Sequence, residues 1–186
     1  MRWCDVFTPV GRLRLAGDEE GLRGISFPSS SHSLRPAGDR KLQPDEEPFR
    51  EAARQLAAYF GGELERFELL LAPAGTAFQR EVWSMLLTVP YGETVSYGEL
   101  ARRLGRPGAS RAVGAANARN PIPLVIPCHR VIGADGSLTG FGGGLDVKAR
   151  LLALEAGHRR AFRGRGQGEA DSSPGGRQVT GQLELI

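Results

Sequence analysis

An apolar run closed by prolines limits the fold of this chain more than any other feature. The run 121–127, PIPLVIP, contains three prolines, and Cys128, His129 and Arg130 follow it directly. Proline is excluded from helix interiors, so the run cannot be a regular helix. Its apolar side chains predict a buried core strand. The sequence therefore predicts a strand that ends in a thiol, an imidazole and a guanidinium group.

Composition is that of a globular protein. The chain has 186 residues, of which 40% are hydrophobic and 24% charged, enough for one domain or for a small and a medium one. The apolar runs are much shorter than the roughly 20 residues that cross a bilayer. The N-terminus also lacks the apolar core of a signal peptide. We therefore expect a cytoplasmic protein without membrane contact.

The cysteines and histidines are too few and too scattered for a metal site or a disulfide framework. The cysteines are Cys4 and Cys128, and the histidines are His32, His129 and His158. No CxxC or HxxxH pair occurs, so we expect no metal and no cofactor.

Basic charge is concentrated in the half of the chain that contains Cys128. Residues 97–165 carry 12 basic and 4 acidic side chains, whereas residues 1–96 carry 11 and 14. Such asymmetry favours a polyanionic partner. Arginines outnumber lysines 22 to 2, so the alternative is that genomic composition explains the charge.

The first third predicts a small α+β unit. Three short runs within residues 1–27 are separated by turn signals, which indicates an antiparallel meander. The polar segment 28–45 predicts an exposed loop. Apolar positions at helical spacing predict a helix over 48–60, ended by Gly61-Gly62. The run 66–73, RFELLLAP, predicts a further strand.

Helices dominate the second half of the sequence. Thr76 is predicted to cap one helix and Ser96, with Glu99, a second. Ser110 is predicted to cap a third, short helix, so the second and third form a helix-turn-helix. Most such pairs in proteins only pack a core.

A last helix is predicted over 147–156, with Gly157 as its stop. We divide the chain into an N-terminal domain (1–73), a mostly helical C-terminal domain (74–162) and a disordered tail (163–186).

The third helix carries small side chains where a sequence-reading helix would carry large ones. Its positions include Ala112, Gly114 and Ala115. This surface suits close approach to a DNA groove without sequence readout; tight packing inside the protein is the alternative. Arg111 can fill the space left by an extruded base, or pair with a phosphate, or be merely solvated.

Cys128 is either an inert core residue or a nucleophile. Free cysteine is among the most buried residue types, but His129 and Arg130 are poor company for an inert thiol and favour the thiolate. Neighbouring side chains of an extended segment point opposite ways, so we expect a water between Cys128 and His129. Glu155 is the best acceptor in this half to orient the imidazole.

These residues resemble the O6-alkylguanine-DNA alkyltransferases, whose hallmark is Ile/Val-Pro-Cys-His-Arg-Val/Ile. The resemblance runs in family order over about 80 residues, through GTAFQREVW, VPYGETVSYGELA, RAVGAANARNPIPLVIPCHRVIG and LTGFGGGLDVKARLLALE. The N-terminal third is similar through TPVGRLRLAGDEEGLRGISF. The resemblance implies an α+β fold with a ribonuclease H-like N-terminal domain.

The resemblance also implies an activity. Cys128 would accept the alkyl group of O6-alkylguanine once, after the damaged nucleotide has left the duplex, with His129 and Glu155 completing a relay through water. Asn120 would brace the turn before the active site, and Tyr97 would serve the guanine N3 edge. Arg111 would fill the vacated stack, beside Ala112, Gly114 and Ala115.

The pocket walls implied by the resemblance are Pro123, Phe141 and Gly142, with backbone groups of Val131 and Gly142 recognising the base. Phe141 and Gly142 stand where some members have tyrosine and serine, which leaves tolerance for larger alkyl groups open. The implied partner is double-stranded DNA containing O6-alkylguanine, and O4-alkylthymine is a further candidate. We expect a monomer.

Three other functions stay open. A relative without the reactive cysteine binds alkylated DNA without chemistry, and the presence of Cys128 disfavours this. A cysteine hydrolase needs an oxyanion hole, for which the chain has no recognisable signature. A transcription regulator needs a reading helix, which the small residues after Arg111 do not provide.

Overall fold

A four-stranded sheet forms the N-terminal part of the molecule. The computed structural model describes residues 1–27 and 43–166, with side chains up to 158. The sheet order is β3-β2-β1-β4. Its strands are β1 (Arg2–Thr8), β2 (Gly11–Asp18), β3 (Gly21–Ser26) and β4 (Gln43–Pro44). The first three are antiparallel, which confirms the predicted meander, and β4 is parallel to β1. Most of the predicted loop 28–45 lies outside the described residues.

Helix α1 (Arg50–Gly61) packs on this sheet after a 3-10 turn at Glu47–Phe49. It ends because Gly62 adopts a left-handed φ of 77°, a conformation that glycine adopts without strain. This confirms the predicted helix and its glycine stop.

The predicted strand over 66–73 is wrong. This segment makes a single bridge, between Leu22 and Leu71. The Leu22 N–H donates to the Leu70 carbonyl at 2.8 Å, and the Ala72 N–H donates to the Leu22 carbonyl at 2.9 Å. The segment 66–73 therefore pairs with β3 only through Leu22. A contact of one residue is too short for a strand ladder.

The C-terminal part contains α2 (Ala77–Leu86), β5 (Val95–Ser96), α3 (Tyr97–Arg103) and α4 (Ser110–Ala118). Thr76 caps α2 in a reciprocal capping box, and the Ser96 hydroxyl accepts from the Glu99 N–H, as predicted. Ser110 is not a cap: Ala109 holds that position and makes no side-chain hydrogen bond. Helices α3 and α4 pack together as the predicted helix-turn-helix.

The predicted core strand over 121–127 is also wrong. The segment folds as a tight turn in which Pro123 bridges Ile126 and Leu124 adopts a positive φ of 76°. Cys128–Arg130 then form a 3-10 turn, followed by β6 (Val131–Ile132), which pairs with β5 in parallel. The apolar side chains are buried as expected, but proline prevents continuous strand pairing.

Helix α5 (Leu145–Gly166) is longer than predicted. Gly157 does not stop it, because a glycine inside a helix costs only about 1 kcal/mol relative to alanine. The buried side chains Lys148, Leu151 and Glu155 share one face of α5. The predicted disordered tail lies outside the described residues from 167 onward, and its first four residues belong to α5.

One hydrophobic core joins the two parts. The Ile25 N–H of β3 donates to the Pro121 carbonyl at 2.8 Å, so the sheet is fastened directly to the turn that precedes Cys128. Within the described ranges, no helix has both the length and the apolar character needed to cross a membrane.

Candidate active site

Cys128 lies at the floor of a small cavity between the two parts of the molecule. Its side chain is buried, with 5% of the residue exposed. The cavity has a volume of about 30 Å³, enough for a water molecule and too small for a purine. Its walls come from β3, the end of α4, the proline turn and the loop before α5: Ile25, Phe27, Asn117, Ala118, Asn120, Pro123, Gly140, Phe141 and Gly142.

Asn120 holds the proline turn in shape. Its Oδ1 accepts from the Ile122 N–H at 3.0 Å, and its Nδ2 donates to the Ile126 carbonyl at 2.8 Å. These bonds fasten the turn at both sides of Leu124, whose left-handed conformation is costly for a branched side chain. Asn120 therefore braces the turn that presents Cys128.

Glu155 is the centre of a buried hydrogen-bond network. Its Oε1 accepts from His129 Nε2 at 2.7 Å and from the Tyr59 hydroxyl at 2.6 Å. Its Oε2 accepts from Arg130 Nε and from the Gly92 N–H, both at 2.9 Å. Burial raises the pKa of Glu155, but hydrogen bonds from His129 and Arg130 and the positive charge of Arg130 bring it down to about 2. The carboxylate is therefore ionised at neutral pH.

His129 is a neutral base. It is fully buried, and this burial lowers its pKa more than Glu155 raises it, while Arg130 and Lys148 lower it further. With Nε2–H donating to Glu155, the Nδ1 atom carries the lone pair. Nδ1 has no hydrogen-bond partner among the described residues. The imidazole can therefore take a proton at Nδ1, directly or from a water.

The Cys128 thiol is protonated at rest. Burial raises its pKa to about 11, whereas the Asn120 amide and the positive charge of Lys148 oppose the rise. Lys148 is itself fully buried, and its Nζ donates to the Val131 and Thr139 carbonyls at 2.5 and 2.6 Å. Burial therefore opposes a thiolate at Cys128 and the positive charge of Lys148 favours it, although burial also lowers the pKa of Lys148 itself.

Tyr97 stands at the first turn of α3, half-buried, and faces α4. Its ring would lie 3.7 Å from a Cβ at Gly114, and its hydroxyl accepts from Thr139 Oγ1 at 3.2 Å. The Tyr97 ring therefore packs against α4 at Gly114, where an added Cβ atom would make an ordinary van der Waals contact.

Helix α4 presents its small-residue face to solvent. Arg111, Ala112, Ala115 and Arg119 are exposed, and Gly114 is half-buried. Val113 and Ala116 face inward, where the Trp83 indole N–H donates to the Ala116 carbonyl at 2.9 Å. Ala112 and Ala115 are therefore accessible to a partner, whereas Gly114 packs inside the protein against the Tyr97 ring.

The structure brings most of the predicted site residues together. Cys128, Asn120, Pro123, Phe141 and Gly142 line the cavity, and His129 and Glu155 bond each other. The other predicted residues do not line the cavity: Tyr97, Arg111, Ala112, Gly114, Ala115 and Val131. The Val131 N–H donates to the Cys128 carbonyl, and its own carbonyl accepts from Lys148.

Sequence reasoning missed several residues of the site, among them Asn117, which lines the cavity from α4. Tyr59 and Phe27 come from the N-terminal part, and nothing in their local sequence connects them to Cys128. Lys148 had a signal, because it lies seven residues before Glu155 and therefore on the same helix face. Arg130 was noticed only as a neighbour of the thiol. In the described part of the chain no group of three or more His, Cys, Asp or Glu side chains can hold a metal ion.

Stability is expected to fall on both sides of neutral pH. As pH falls below about 6.5, the histidine binds a proton in the unfolded chain, whereas buried His129 stays neutral in the folded protein. As pH falls from 4.5 to about 2, the same difference arises at Glu155, which stays ionised only in the folded protein. Above pH 9 the unfolded chain loses protons that Cys4 and Cys128 keep until about pH 11. The free energy of unfolding falls at low pH because the unfolded chain binds more protons, and at high pH because it binds fewer. Urea unfolding should therefore show a plateau between about pH 6.5 and about pH 9. Greater stability at about pH 5 than at about pH 7 would contradict this.

Comparisons with known families follow the same two parts. A model described as "6-O-methylguanine DNA methyltransferase, ribonuclease-like domain" matches residues 4–73, and one described as "6-O-methylguanine DNA methyltransferase, DNA binding domain" matches residues 77–157. Together these matches extend over most of the chain.

Individual relatives match over nearly their whole length. The chain is 54% identical over 154 residues to a methylated-DNA–protein-cysteine methyltransferase of Methanosarcina acetivorans, covering 80% of this chain and 94% of that protein. A protein of the same name from Mycolicibacterium paratuberculosis is 50% identical over 156 residues, covering 84% and 93%. The crystal structure of Mycobacterium tuberculosis OGT in complex with DNA superposes with a TM-score of 0.79 at 46% identity, covering 85% and 94%.

Proposed function

Because the chain belongs to the 6-O-methylguanine DNA methyltransferase family, we propose that it repairs O6-alkylguanine in DNA by moving the alkyl group onto its own Cys128. The observation that carries this proposal is the position of Cys128 in a cavity beside a buried His129–Glu155 pair. His129 keeps a lone pair at Nδ1 with no partner among the described residues, as a base for the thiol requires.

The reaction is an in-line displacement. The Cys128 proton passes through a water to His129 Nδ1, and Glu155 stabilises the imidazolium that forms. The thiolate attacks the alkyl carbon, the carbon–oxygen bond breaks, and its electron pair stays on guanine O6. The resulting guanine anion takes up a proton at N1, and the imidazolium at His129 gives up the proton it received. Tyr97 hydrogen-bonds the N3 edge and makes guanine a better leaving group. The product is a thioether, which no group in the site can hydrolyse, so each molecule acts once.

The base pocket must open before this reaction. The cavity holds no purine at about 30 Å³, and aromatic rings narrow it: Phe27 and Phe141 meet edge to face with centroids 5.4 Å apart. Pro123 and Gly142 complete the proposed walls.

Replacing Phe27 with leucine is expected to widen substrate tolerance. The leucine side chain cannot make the edge-to-face contact with Phe141. That contact stabilises the closed pocket by about 0.5–1.5 kcal/mol. The transfer rate from O6-benzylguanine should rise relative to that from O6-methylguanine, by roughly 2- to 10-fold from this energy. An unchanged ratio of the two rates would contradict the assignment of Phe27 to the pocket wall.

Helix α4 is the proposed DNA-binding element. Its exposed small residues Ala112 and Ala115, with Gly114, approach the groove, and Arg111 occupies the stack that the damaged nucleotide leaves. The basic charge of residues 97–165 supports binding to phosphates.

Arg111→Ala is expected to slow repair of duplex DNA by at least about 10-fold, because the extruded base then returns to an empty stack. Reaction with free O6-benzylguanine, which needs no extrusion, should change little. Arg119→Ala is the matched control, since Arg119 is also exposed, at the opposite end of α4 from Arg111, and should act only through phosphate charge. Equal losses on both substrates would contradict the role of Arg111.

The remaining parts of the proposal follow from the sequence. Residues 1–73 are the N-terminal domain and 74–162 the alkyltransferase domain. The protein acts as a monomer in the cytoplasm, on double-stranded DNA, without cofactor or metal. O4-alkylthymine is a second candidate substrate.

Incubation with duplex DNA that carries labelled O6-methylguanine tests the function. Label should move to the protein up to about one equivalent and then stop, since the thioether is permanent. Continued release of labelled product would indicate a hydrolase. Binding to damaged DNA without label transfer would indicate a recognition protein, and preference for one undamaged sequence would indicate a regulator.

A further inference from the structure

We propose that Tyr59 is a positioning residue for alkyl transfer, which acts on His129 through Glu155 and so makes the N-terminal part of the chain a component of the relay. This inference rests on the proposed function and adds a residue to its mechanism. Tyr59 lies on α1 and is fully buried. Its hydroxyl donates to Glu155 Oε1 at 2.6 Å.

Tyr59 and His129 share one oxygen atom of Glu155. His129 Nε2 donates to the same Oε1 at 2.7 Å, and Arg130 Nη2 donates to it at 3.0 Å. The other oxygen, Oε2, accepts from Arg130 Nε and from the Gly92 N–H. Of these donors, Tyr59 alone comes from residues 1–73. The N-terminal part therefore contacts the relay at the oxygen atom that orients the imidazole.

The Tyr59 hydroxyl is a fixed donor. Three aromatic rings hold the Tyr59 ring in place, with centroids 5.2 Å away at Phe60, 5.3 Å at Phe67 and 5.8 Å at Tyr91. Burial and the negative charge of Glu155 raise the pKa of Tyr59, so the hydroxyl keeps its proton at neutral pH. Its one proton is directed to the Glu155 carboxylate.

This bond changes the strength of Glu155 as a partner for His129. A hydrogen bond to a carboxylate stabilises its ionised form and lowers its affinity for a proton. Because Tyr59 and His129 donate to the same oxygen, the Tyr59 bond weakens the stabilisation that Glu155 gives to the His129 imidazolium. Tyr59 therefore helps to keep His129 neutral before the reaction, as a base for the Cys128 thiol must be.

The other charged groups that face His129 do not depend on Tyr59. Burial lowers the pKa of His129, Glu155 raises it, and Arg130 and Lys148 lower it further. Of these three side chains, Glu155 is the one to which the Tyr59 hydroxyl donates. Any effect of the Tyr59 hydroxyl on the imidazole therefore passes through this carboxylate.

Tyr59→Phe tests the inference, because it removes the hydroxyl and keeps the packing of the ring. Without this donor, Glu155 stabilises the imidazolium more strongly, so His129 loses its lone pair at a higher pH. Single-turnover transfer from a saturating O6-methylguanine duplex is measured between about pH 5 and about pH 8. The rate at about pH 8 divided by the rate at about pH 5 should rise at least about 3-fold over the wild-type ratio, which corresponds to a move of about half a pH unit in the protonation of His129.

Tyr91→Phe is the matched control. Tyr91 is also a buried tyrosine near Glu155, and burial raises its pKa to about 12, so it too stays protonated. Its hydroxyl hydrogen-bonds His158 Nδ1 at 3.1 Å instead of the carboxylate. The ratio of rates in this variant should equal that of the wild-type protein. 3-Fluorotyrosine at position 59 has a more acidic hydroxyl and is a stronger donor, so it should lower the ratio.

The ratio is taken within each variant, so a general loss of stability or of cysteine reactivity cancels. Equal ratios in Tyr59→Phe and the wild-type protein would overturn the inference, because a purely structural role of Tyr59 lowers transfer by the same factor at every pH. NMR titration of the His129 imidazole gives a second measurement that needs no transfer, and an unchanged titration in Tyr59→Phe would also overturn it. If Tyr59→Phe does not fold, the fluorotyrosine variant decides, and a ratio that does not fall there would overturn the inference. Absence of methyl transfer at every pH in the wild-type protein would instead overturn the proposed function.

Discussion

Glu155→Gln is expected to lower the free energy of unfolding by about 3–5 kcal/mol, the usual result of breaking a buried ion pair from one side. The substitution preserves shape but leaves the buried Arg130 guanidinium, which is 6% exposed, without its counter-charge. It also removes the charge that stabilises the His129 imidazolium. Alkyl transfer at neutral pH should therefore slow by at least about 100-fold, the lower range for a base mechanism. Urea unfolding and single-turnover kinetics measure the two effects.

Glu99→Gln is the control for this prediction. Glu99 also pairs with two arginines: its Oε1 lies 3.0 Å from Arg103 Nε, and its Oε2 contacts Arg102. Both pairs are at the surface. Surface pairs contribute at most about 1 kcal/mol. If both glutamate variants lost a similar free energy of unfolding, the buried network around Glu155 would stabilise the fold no more than a surface pair does.

Cys128→Ala is expected to abolish alkyl transfer, from about one equivalent to none, while binding to duplex DNA persists. The reason is chemical, because the alanine side chain has no nucleophilic atom to form the new bond. The Arg111 face of α4, which we propose to bind DNA, stays intact. Label transfer and a DNA-binding titration on the same preparation measure the two properties.

Cys4→Ala supplies the matched control. Cys4 is also 5% exposed, and burial raises its pKa to about 11 as well. It lies in β1, and His129 and Glu155 do not surround it. The Cys4 variant should therefore keep full transfer. Loss of transfer in the Cys4 variant would contradict the assignment of the reaction to Cys128 alone.

The reactive group of the site was predictable from the sequence only in part. Cys128 and His129 are neighbours in the chain, and Glu155 was the best acceptor in this half, on a helix with a regular apolar face. The resemblance implied the role of Asn120, and its two hydrogen bonds to the proline turn agree with that role. The pairing of His129 with Glu155, 26 positions apart, depends on how α5 packs, which no local pattern specifies.

The surroundings of the site were not predictable in this way. The run 121–127 has the composition of a core strand, and its prolines exclude a helix, but only the packing shows that Leu124 reverses the chain. Tyr59 bonds Glu155 from 96 positions away, and Phe27 reaches the cavity from β3. Contacts between distant segments depend on how the two parts dock, for which a single sequence has no local signal.

The end of α5 shows a different limit. Gly157 has the residue type of a helix stop, yet the helix continues to Gly166. Glycine ends a helix when the chain turns into a left-handed conformation, as at Gly62, and not by its mere presence.

Peptide mass mapping after reaction with O6-methylguanine DNA tests the central claim most directly. The account predicts one methyl group per molecule, on the peptide that contains Cys128, with unmodified guanine left in the DNA. A methyl group on Cys4 or on another residue, or repaired DNA with an unmodified Cys128, would contradict it.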